Sequence, residues 1–219
     1  MKKILSVLSV CLSIIIIWGT LAFLTFSKIT KGTVITDYPT PRTALLVIDL
    51  QKDMTEKDGA RPLNIRQTDS IIPLVNTLTK KAGNKDWLVA YVTHEYRKNS
   101  ILRLVTRNFL LEGMPGAKMD PRVLMVSDNH FIKYRMDAFS NSEFEKFLQK
   151  NQINHLLLTG MAAEACIDRT CRAALNRGYK VSVISDAIAG ISDASRNKKI
   201  DDYQRAGAQI ISFSELIIE

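Results

Sequence analysis

Hydrophobic residues along this chain fall into two patterns: short unbroken runs, and longer stretches in which apolar positions recur every three or four residues. An unbroken run of about four to eight apolar residues is typical of a β-strand that is buried on both faces of a sheet. Residues 44–48 form such a run, and comparable, mostly apolar runs occupy residues 87–92, 123–126, 155–159, 181–184 and 209–213. They predict a sheet of about six strands.

The stretches between these runs have the spacing of amphipathic helices. Apolar residues recur at helical intervals within residues 71–78 and 144–148, and residues 163–177 and 192–206 are two further candidate helices. Strands that alternate with helices predict an α/β fold, with a mainly parallel sheet and helices on both of its faces.

The N-terminal residues break this alternation, because residues 4–26 carry no charge and are mostly apolar. A helix needs about 20 such residues to cross the hydrocarbon layer of a membrane. We therefore predict one transmembrane helix within residues 1–27. A cleaved signal peptide that releases a secreted protein is the alternative, since Lys2 and Lys3 form a charged start. However, no small-x-small cleavage motif stands out near residues 19–26.

The charges that flank the apolar segment give a weak orientation signal. Two lysines precede it and three basic residues follow it within residues 28–42, so the positive-inside comparison is nearly a tie. A short basic N-terminus before an anchor usually stays in the cytoplasm, which predicts a single-pass protein with its domain on the extracytoplasmic side. Residues 28–42 contain glycine and two prolines and are predicted to be a linker, and residues 43–219 are predicted to be a single domain.

Length and composition fit one folded domain behind that anchor. The chain has 219 residues, of which 46% are hydrophobic and 24% charged, the usual balance of a globular protein. Its formal net charge of +8 favours a basic surface near a membrane or an anionic ligand. Lysine and arginine are scattered and form no nucleic-acid-binding motif, so no nucleic-acid partner is predicted.

Polar residues follow several of the predicted strands. In a parallel α/β sheet, ligands bind beyond the carboxyl ends of the strands. Asp49 follows the first strand and His94 the second, and residues 160–162 follow the fourth. Lys133 lies between the third predicted strand and a helix. These positions are distant in sequence, yet the fold can bring them to one edge of the sheet.

Cysteine is the residue type with the clearest chemical potential in this chain. Cys11 lies in the apolar segment, and Cys166 and Cys171 are separated by five residues, which would place them about 140° apart on a helix. That separation argues against a disulfide between them. Cys166 lies near the predicted start of a helix, where partial positive charge and unpaired N–H groups favour a thiolate and an oxyanion.

A nucleophilic thiol needs a base to accept its proton and a cation to hold the resulting charge. Asp49 can serve as the base and Lys133 as the cation. Spacing alone leaves a second interpretation open, in which Cys166 is a buried structural thiol, Asp49 caps a turn and Lys133 is solvated.

Three segments resemble the isochorismatase-like cysteine hydrolases, in the order and at the spacing of that family. Residues 44–51 are similar to its apolar strand ending in D-x-Q, and residues 133–139 are similar to its K-x-R-x-x-A-F motif. Residues 160–187 are similar to its strand, cysteine helix, G-Y and D-A sequence. The resemblance covers about residues 43–213, nearly all of the predicted domain.

The resemblance implies a doubly wound α/β fold and a catalytic triad of Asp49, Lys133 and Cys166. Cys166 would attack a carbonyl and form a covalent acyl-enzyme that water resolves, with Asp49 as general base and Lys133 lowering the thiol pKa. The backbone N–H groups of Ala162 and Cys166 would form the oxyanion hole. The family also has a cis peptide that would fall here between Met161 and Ala162.

Departures from the family pattern narrow the predicted chemistry. The T-D pair that usually precedes the cysteine is Ala163-Glu164 here, so a hydroxyl is missing and the acidic position is kept. The nicotinamidase branch binds a metal through aspartate and histidine, but residues 51–65 contain no histidine. We therefore predict no metal, no other cofactor and a substrate other than nicotinamide. The cysteine favours hydrolysis of an amide-like C–N bond in a small molecule.

Two other functions remain open: a hydrolase of an isochorismate-type vinyl ether, and a catalytically silent, membrane-anchored binding domain. Four residues near the motifs are predicted to line the substrate pocket, namely Gln51, His94, Arg135 and Phe139. Members of the family often form dimers or larger assemblies, so the resemblance also allows a homo-oligomer.

Overall fold

The centre of the protein is a parallel sheet whose strands agree with most of the predicted runs. The computed structural model describes residues 2–100, 103 and 106–218. Its six strands are β1 Arg42–Ile48, β2 Leu88–His94, β3 His130–Lys133, β4 Ile153–Met161, β5 Lys180–Ala189 and β6 Gln209–Ile211. Their order across the sheet is β3-β2-β1-β4-β5-β6, and all pairs are parallel. The chain starts at the middle and winds outward to both edges, which confirms the doubly wound α/β fold.

Helices connect the strands, as crossovers between parallel strands require. Within the described residues they are α1 Lys2–Ser27, α2 Lys52–Thr55, α3 Ile65–Ala82, α4 Ser142–Lys150, α5 Asp168–Leu175, α6 Asp193–Arg205 and α7 Phe213–Ile218. The turn Ala163–Ile167 before α5 is a π-helix. Short 3-10 turns lie at Gly83–Lys85, Pro115–Ala117 and Ala138–Ser140.

The position of β1 at the centre of the sheet explains its unbroken apolar run. Leu46 and Ile48 pack into a hydrophobic cluster on one face, together with Phe144 of α4. Leu45 and Val47 pack into a second cluster on the other face, with residues of α3. These four β1 side chains are completely buried. Both faces of the strand are covered, so every position favours an apolar residue.

The third strand does not lie at residues 123–126, and that prediction is wrong. β3 lies at His130–Lys133 and pairs with β2 at the edge of the sheet. In the earlier run, Leu124 and Val126 are exposed, and their N–H groups donate to side chains of α3 and β2. An edge strand depends on backbone pairing as well as on burial, so hydrophobicity alone did not locate it.

The N-terminal apolar segment is helical over Lys2–Ser27. Within it, Ser9–Ser27 is long and apolar enough to cross a membrane by length and composition, with a mean hydropathy of 2.2. Protein atoms bury 6% of that segment, so most of its apolar surface is uncovered. A signal sequence has the same properties.

Residues 28–41 contain no helix or strand, as expected of a linker, yet they are fixed to the domain. The Ile35 N–H donates to the carbonyl of Arg177 at 2.8 Å. Thr30 donates to Asp137 through both its N–H and its hydroxyl. Ile35 also packs against the hydrophobic core. The predicted linker is therefore part of the folded body.

Candidate active site

The centre of the sheet offers a place for a ligand, because the chain leaves β1 and β4 toward opposite edges. In open α/β sheets, ligands bind in the crevice at such a switch point, beyond the carboxyl ends of the strands. Asp49 directly follows β1, and Cys166 lies in the π-helical turn that follows β4. Lys133 is the last residue of β3. All three residues thus stand at the same edge of the sheet.

The backbone at the switch point brings β1 and β4 close together. Asp49 has a φ of 54°, in the left-handed region that aspartate tolerates better than most residues. Gly160 has a φ of 108°, and a Cβ at this position would lie 2.0 Å from the carbonyl oxygen of Ile48. Glycine is therefore needed where the two strands meet. The peptide between Met161 and Ala162 is cis, as predicted.

Lys133 joins the other two candidate catalytic residues. Its Nζ lies 2.8 Å from Asp49 Oδ2 and 3.2 Å from Cys166 Sγ. The side chains of Lys133 and Asp49 are 0% and 1% exposed. Although 84 residues separate Asp49 from Lys133 and 33 separate Lys133 from Cys166, the fold brings all three together.

Burial and mutual charge set the protonation of this cluster. Burial raises the pKa of Asp49 above its usual value, although the ammonium of Lys133 opposes that rise. Burial lowers the pKa of Lys133, because it disfavours the charged ammonium. The charges of Asp49 and Cys166 raise the pKa by more, so the net shift is upward. Burial and the Asp49 carboxylate raise the pKa of the Cys166 thiol, and Lys133 only partly opposes this.

Burial and Asp49 therefore favour the neutral thiol of Cys166, whereas the ammonium of Lys133 favours the thiolate. The predicted effect of Lys133 on the thiol has the right direction, because its charge lowers the pKa of Cys166, although burial and Asp49 together raise that pKa more. Asp49 Oδ1 has no hydrogen-bond partner among the described residues. This oxygen can accept the proton of Cys166, and the raised pKa of Asp49 makes it a stronger base.

A cavity of about 260 Å³, the central cavity, opens over Cys166. Asp49, His94 and Ala162 also line it, so the reactive groups face a space that a small ligand can enter. Most of the remaining wall is apolar and comes from several segments: Phe26, Met54, Leu63, Phe109, Met136 and Ile191. The central cavity thus combines a polar floor with walls that are mostly apolar but also include Arg61 and Glu164.

Among the four residues predicted for the substrate pocket, His94 lines the central cavity. It is 3% exposed. Burial, followed by the positive charge of Lys133, holds the pKa of His94 well below its usual value, although hydrogen bonds to the backbone of Lys133 and Arg135 act to raise it. The ring is therefore neutral, and it faces a space where a substrate can bind.

The other three predicted pocket residues do not line the central cavity. Gln51 is completely buried, and its amide exchanges hydrogen bonds with the backbone N–H and carbonyl of His94, which connects the ends of β1 and β2. Arg135 donates to the carbonyl of Lys28, beside α1. The ring of Phe139 packs in the hydrophobic core, away from the central cavity. These three residues are close to the motifs in sequence, but their side chains do not line the cavity.

Both residues predicted for the oxyanion hole line the central cavity. The carbonyl of Ala162 accepts hydrogen bonds from the N–H groups of Ala165 and Ile167, at 3.0 and 3.2 Å. These bonds fix the turn that carries Cys166. The role of the Ala162 and Cys166 N–H groups in holding an oxyanion stays a prediction.

The histidines stand apart from one another. His130 hydrogen-bonds to Thr93 and His155 to Ser182, each at 2.8 Å, whereas His94 faces the central cavity. In the part of the chain that the structure describes, no group of three or more His, Cys, Asp or Glu side chains is arranged to hold a metal ion. Metal-independent chemistry stays a prediction.

Sequence reasoning missed several residues that line the central cavity, above all Phe26, Tyr96 and Phe109. Tyr96 lies two residues beyond the end of β2, so the rule that selected His94 could also have found it. Phe109 belongs to the long connection between β2 and β3, and Phe26 belongs to α1. Neither of these two follows a strand or lies in a motif, so the sequence carried no signal for them.

Comparison with known proteins identifies the family to which the fold belongs. The model of the family described as Isochorismatase domain matches residues 43–215. An Arabidopsis thaliana protein named "Probable inactive nicotinamidase" is 27% identical over 185 residues, covering 79% of this chain and 93% of that protein. The N-carbamoylsarcosine amidase of an Arthrobacter species is 27% identical over 165 residues, covering 68% of this chain and 62% of that enzyme.

A solved structure shows the same architecture. A cysteine hydrolase from Pseudomonas syringae pv. phaseolicola matches this chain with a TM-score of 0.74 and 22% sequence identity. The match covers 86% of this chain and 96% of that protein. At this level of identity the likeness shows a shared fold.

Proposed function

This chain belongs to the isochorismatase family of hydrolases, and we propose that it cleaves the C–N bond of a small-molecule amide through a covalent acyl-enzyme. One observation carries the proposal: Lys133 Nζ lies within hydrogen-bond distance of both Asp49 and Cys166, beneath a cavity. A nucleophile, a base and a cation in mutual contact are the parts that thiol-based acyl transfer needs.

In the proposed reaction, Cys166 Sγ attacks the amide carbonyl carbon while Asp49 accepts the thiol proton. Lys133 stabilises the negative charge that develops on the sulfur. The N–H groups of Ala162 and Cys166 hold the carbonyl oxygen as it becomes an oxyanion, each contributing about 3 kcal/mol to lowering the barrier. Asp49 then gives its proton to the leaving nitrogen, and the C–N bond breaks.

Hydrolysis of the thioester completes the cycle. Asp49, again a carboxylate, takes a proton from water as the water attacks the acyl carbon, and the acid product leaves with the thiol restored. The raised pKa of Asp49 suits both steps, because the same group must accept a proton and then donate it. Neutral His94 faces the space where the substrate can bind.

The proposal includes membrane attachment through α1, with the domain on the extracytoplasmic side. The support is the length and apolar composition of Ser9–Ser27. Intact-mass measurement of the protein extracted from the membrane fraction tests it. The full-length mass supports an uncleaved anchor, and loss of the N-terminal segment identifies a signal peptide. Protease digestion of sealed cells then reports the side on which the domain lies.

Substitution of individual cysteines in the full-length chain tests the nucleophile. Wild type and Cys171→Ala are expected to release ammonia or amine from an amide panel, whereas Cys166→Ala should lose at least about 1,000-fold in kcat. Cys171 is the matched control, because it is a buried thiol one turn further along the same helical segment. Intact-mass spectrometry during turnover should find the acyl group on wild type and not on Cys166→Ala.

The same experiment separates the alternatives. Full turnover by Cys166→Ala would refute the nucleophile. Cleavage of an isochorismate-type vinyl ether without cleavage of any amide would replace the proposed substrate class. If no substrate is cleaved and Cys166 reacts with thiol probes no faster than Cys171, the chain is a silent binding domain.

A further inference from the structure

The apolar helix α1 reaches the central cavity through Phe26. Between Val10 and Leu24 of α1 the large apolar side chains are exposed, such as Phe23 at 55%, whereas Phe26 is 9% exposed. Its ring centroid lies 5.2 Å from that of His94 and 5.5 Å from that of Tyr96. The last turn of α1 is therefore a wall of the central cavity.

The domain holds Phe26 in this place through hydrogen bonds to the following residues. The Met136 N–H donates to the carbonyl of Phe26 at 3.2 Å, and the Arg135 guanidinium donates to the carbonyl two residues later at 2.8 Å. Thr30 then donates to both carboxylate oxygens of buried Asp137. The position of the helix end relative to the cavity is thus fixed by directional contacts.

The apolar wall continues out of the central cavity along α1. A second cavity of about 450 Å³ lies between α1 and the domain, and Phe26 lines both cavities. Trp18 and Leu21 of α1 form one side of the second cavity, and Tyr134 and Arg135 form the other. Trp18 and Leu21 belong to the segment that can cross a membrane, so this cavity opens toward lipid when α1 is inserted.

Cationic side chains surround the junction of α1 with the domain. Lys28 and Lys31 directly follow α1, and Arg135 lines the second cavity. The guanidinium of Arg97 lies 4.2 Å from the ring centroid of Tyr134. Basic side chains beside a membrane helix are attracted to anionic head groups. Their arrangement places these basic side chains at the end of the second cavity that is nearest the domain.

The volumes of the two cavities indicate which part of a ligand each cavity can hold. The central cavity, at about 260 Å³, is below the range of about 300 to 1,000 Å³ that ligand pockets usually have. It can hold an amide group and a few adjoining carbons. A longer apolar substituent would pass Phe26 and continue into the second cavity.

We propose that the substrate is an amide with an extended apolar substituent taken from the bilayer, and that Phe26 is a specificity-determining residue. This inference rests on the amidohydrolase function proposed above. For a primary amide, Cys166 Sγ bonds to the carbonyl carbon, the C–N bond breaks, and nitrogen leaves as ammonia with the thiol proton. Water then cleaves the thioester to the carboxylic acid and the free thiol.

Full-length protein in phosphatidylcholine vesicles tests the inference with straight-chain primary amides from acetamide to decanamide. We expect kcat/KM, referred to the amide dissolved in water, to rise about three- to fourfold for each methylene added. Phe26→Trp adds bulk where the two cavities meet and should lower kcat/KM at least about tenfold more for decanamide than for acetamide. Phe26→Leu should retain most of the wild-type gradient.

Phe23→Trp is the matched control, because it makes the same change on the exposed face of the same helix. It should keep the wild-type preference for long amides. Equal thermal unfolding midpoints for the two tryptophan variants would establish that both are folded. A loss that is equal for acetamide and decanamide in Phe26→Trp, or equal behaviour of Phe26→Trp and Phe23→Trp, would overturn the role of Phe26.

An amide that moves only slowly between vesicles shows whether the enzyme takes its substrate from the bilayer or from water. Octadecanamide placed in the same vesicles as the protein should be hydrolysed, whereas octadecanamide in separate vesicles should not. Equal rates in the two arrangements would overturn uptake from the bilayer.

Failure of this inference differs from failure of the proposed function. If acetamide and decanamide are hydrolysed with equal kcat/KM, the apolar substrate class is wrong while the amidohydrolase function stands. If no amide is hydrolysed and Cys166 forms no acyl adduct, the proposed function fails and this inference fails with it.

Discussion

Lys133 and Asp49 form an ion pair with 2.8 Å between Nζ and Oδ2, and their side chains are 0% and 1% exposed. The pair connects the end of the edge strand β3 to the end of the central strand β1. A buried charge that loses its partner is strongly destabilising, so each of these residues keeps the other ionised. The stability of this region and the proposed reactivity of Cys166 therefore depend on the same two side chains.

Lys133→Met is expected to lower the free energy of unfolding by about 3–5 kcal/mol, because Asp49 would stay buried without its cation. The double variant Asp49→Asn/Lys133→Met removes both charges and should recover part of that loss. Urea denaturation at neutral pH measures both changes. Lys146→Met is the control, since Lys146 is 70% exposed and its surface pair with Glu143 is worth less than about 1 kcal/mol. Equal losses in Lys133→Met and Lys146→Met would contradict the expectation.

Asp49→Asn is expected to lower the pKa of Cys166 and to abolish turnover at the same time. The carboxylate of Asp49 raises the thiol pKa and Lys133 lowers it, so the substitution leaves the cation unopposed. The rate of Cys166 alkylation by iodoacetamide, followed by mass spectrometry across a pH series, measures the thiol pKa. Cys171 serves as the internal reference because it is buried. Slower alkylation of Cys166 at neutral pH than in wild type would show that this charge balance is wrong.

Gly160→Ala is expected to destabilise the protein much more than Gly207→Ala. Both glycines have φ in the left-handed region, at 108° and 101°, so the two substitutions carry similar backbone strain, on the order of 1–3 kcal/mol. A Cβ at position 160 would lie 2.0 Å from the carbonyl oxygen of Ile48, whereas nothing lies within 4 Å at position 207. The difference between the two unfolding free energies therefore isolates the contact between β1 and β4. Equal values would mean that the strands separate easily at this point.

His94→Gln is expected to weaken the loss of stability in acid. The pKa of His94 is well below its ordinary value of 6.5, so the folded protein keeps the ring neutral where the unfolded chain binds a proton. The contribution of His94 to stability is therefore complete above about pH 6.5 and is lost below it, by up to about 1.4 kcal/mol per pH unit. Unfolding free energies at about pH 7 and pH 5 measure this slope in both proteins. An unchanged slope in His94→Gln would assign the acid sensitivity to other groups.

The sequence predicted the strands best where burial is most complete. Residues 44–48 and 155–159 lie within β1 and β4, the two central strands, since a strand covered on both faces needs apolar residues at every position. The edge strand His130–Lys133 escaped detection because Lys133 is its one buried residue. A strand with so few buried positions leaves little hydrophobic pattern in the sequence.

The motifs identified the three residues that meet at Lys133 but gave little information about the cavity around them. Arg135 and Phe139 share a motif with Lys133, yet Arg135 lies beside α1 and Phe139 packs in the core. Residues that are close in sequence diverge in space after a strand ends, because each next side chain points in a new direction. Nearness to a motif is therefore a poor guide to pocket lining.

The sequence by itself determined the doubly wound sheet and named Asp49, Lys133 and Cys166, because burial patterns and motif residues are properties of short segments. Only the tertiary structure decided that burial and Asp49 raise the thiol pKa more than Lys133 lowers it, since these effects come from burial and from charges on other strands. It also decided that Phe26 forms a wall of the central cavity. Phe26 is indistinguishable in sequence from the other apolar residues of its helix, and its position becomes special only through the hydrogen bonds that fix the end of that helix against the domain.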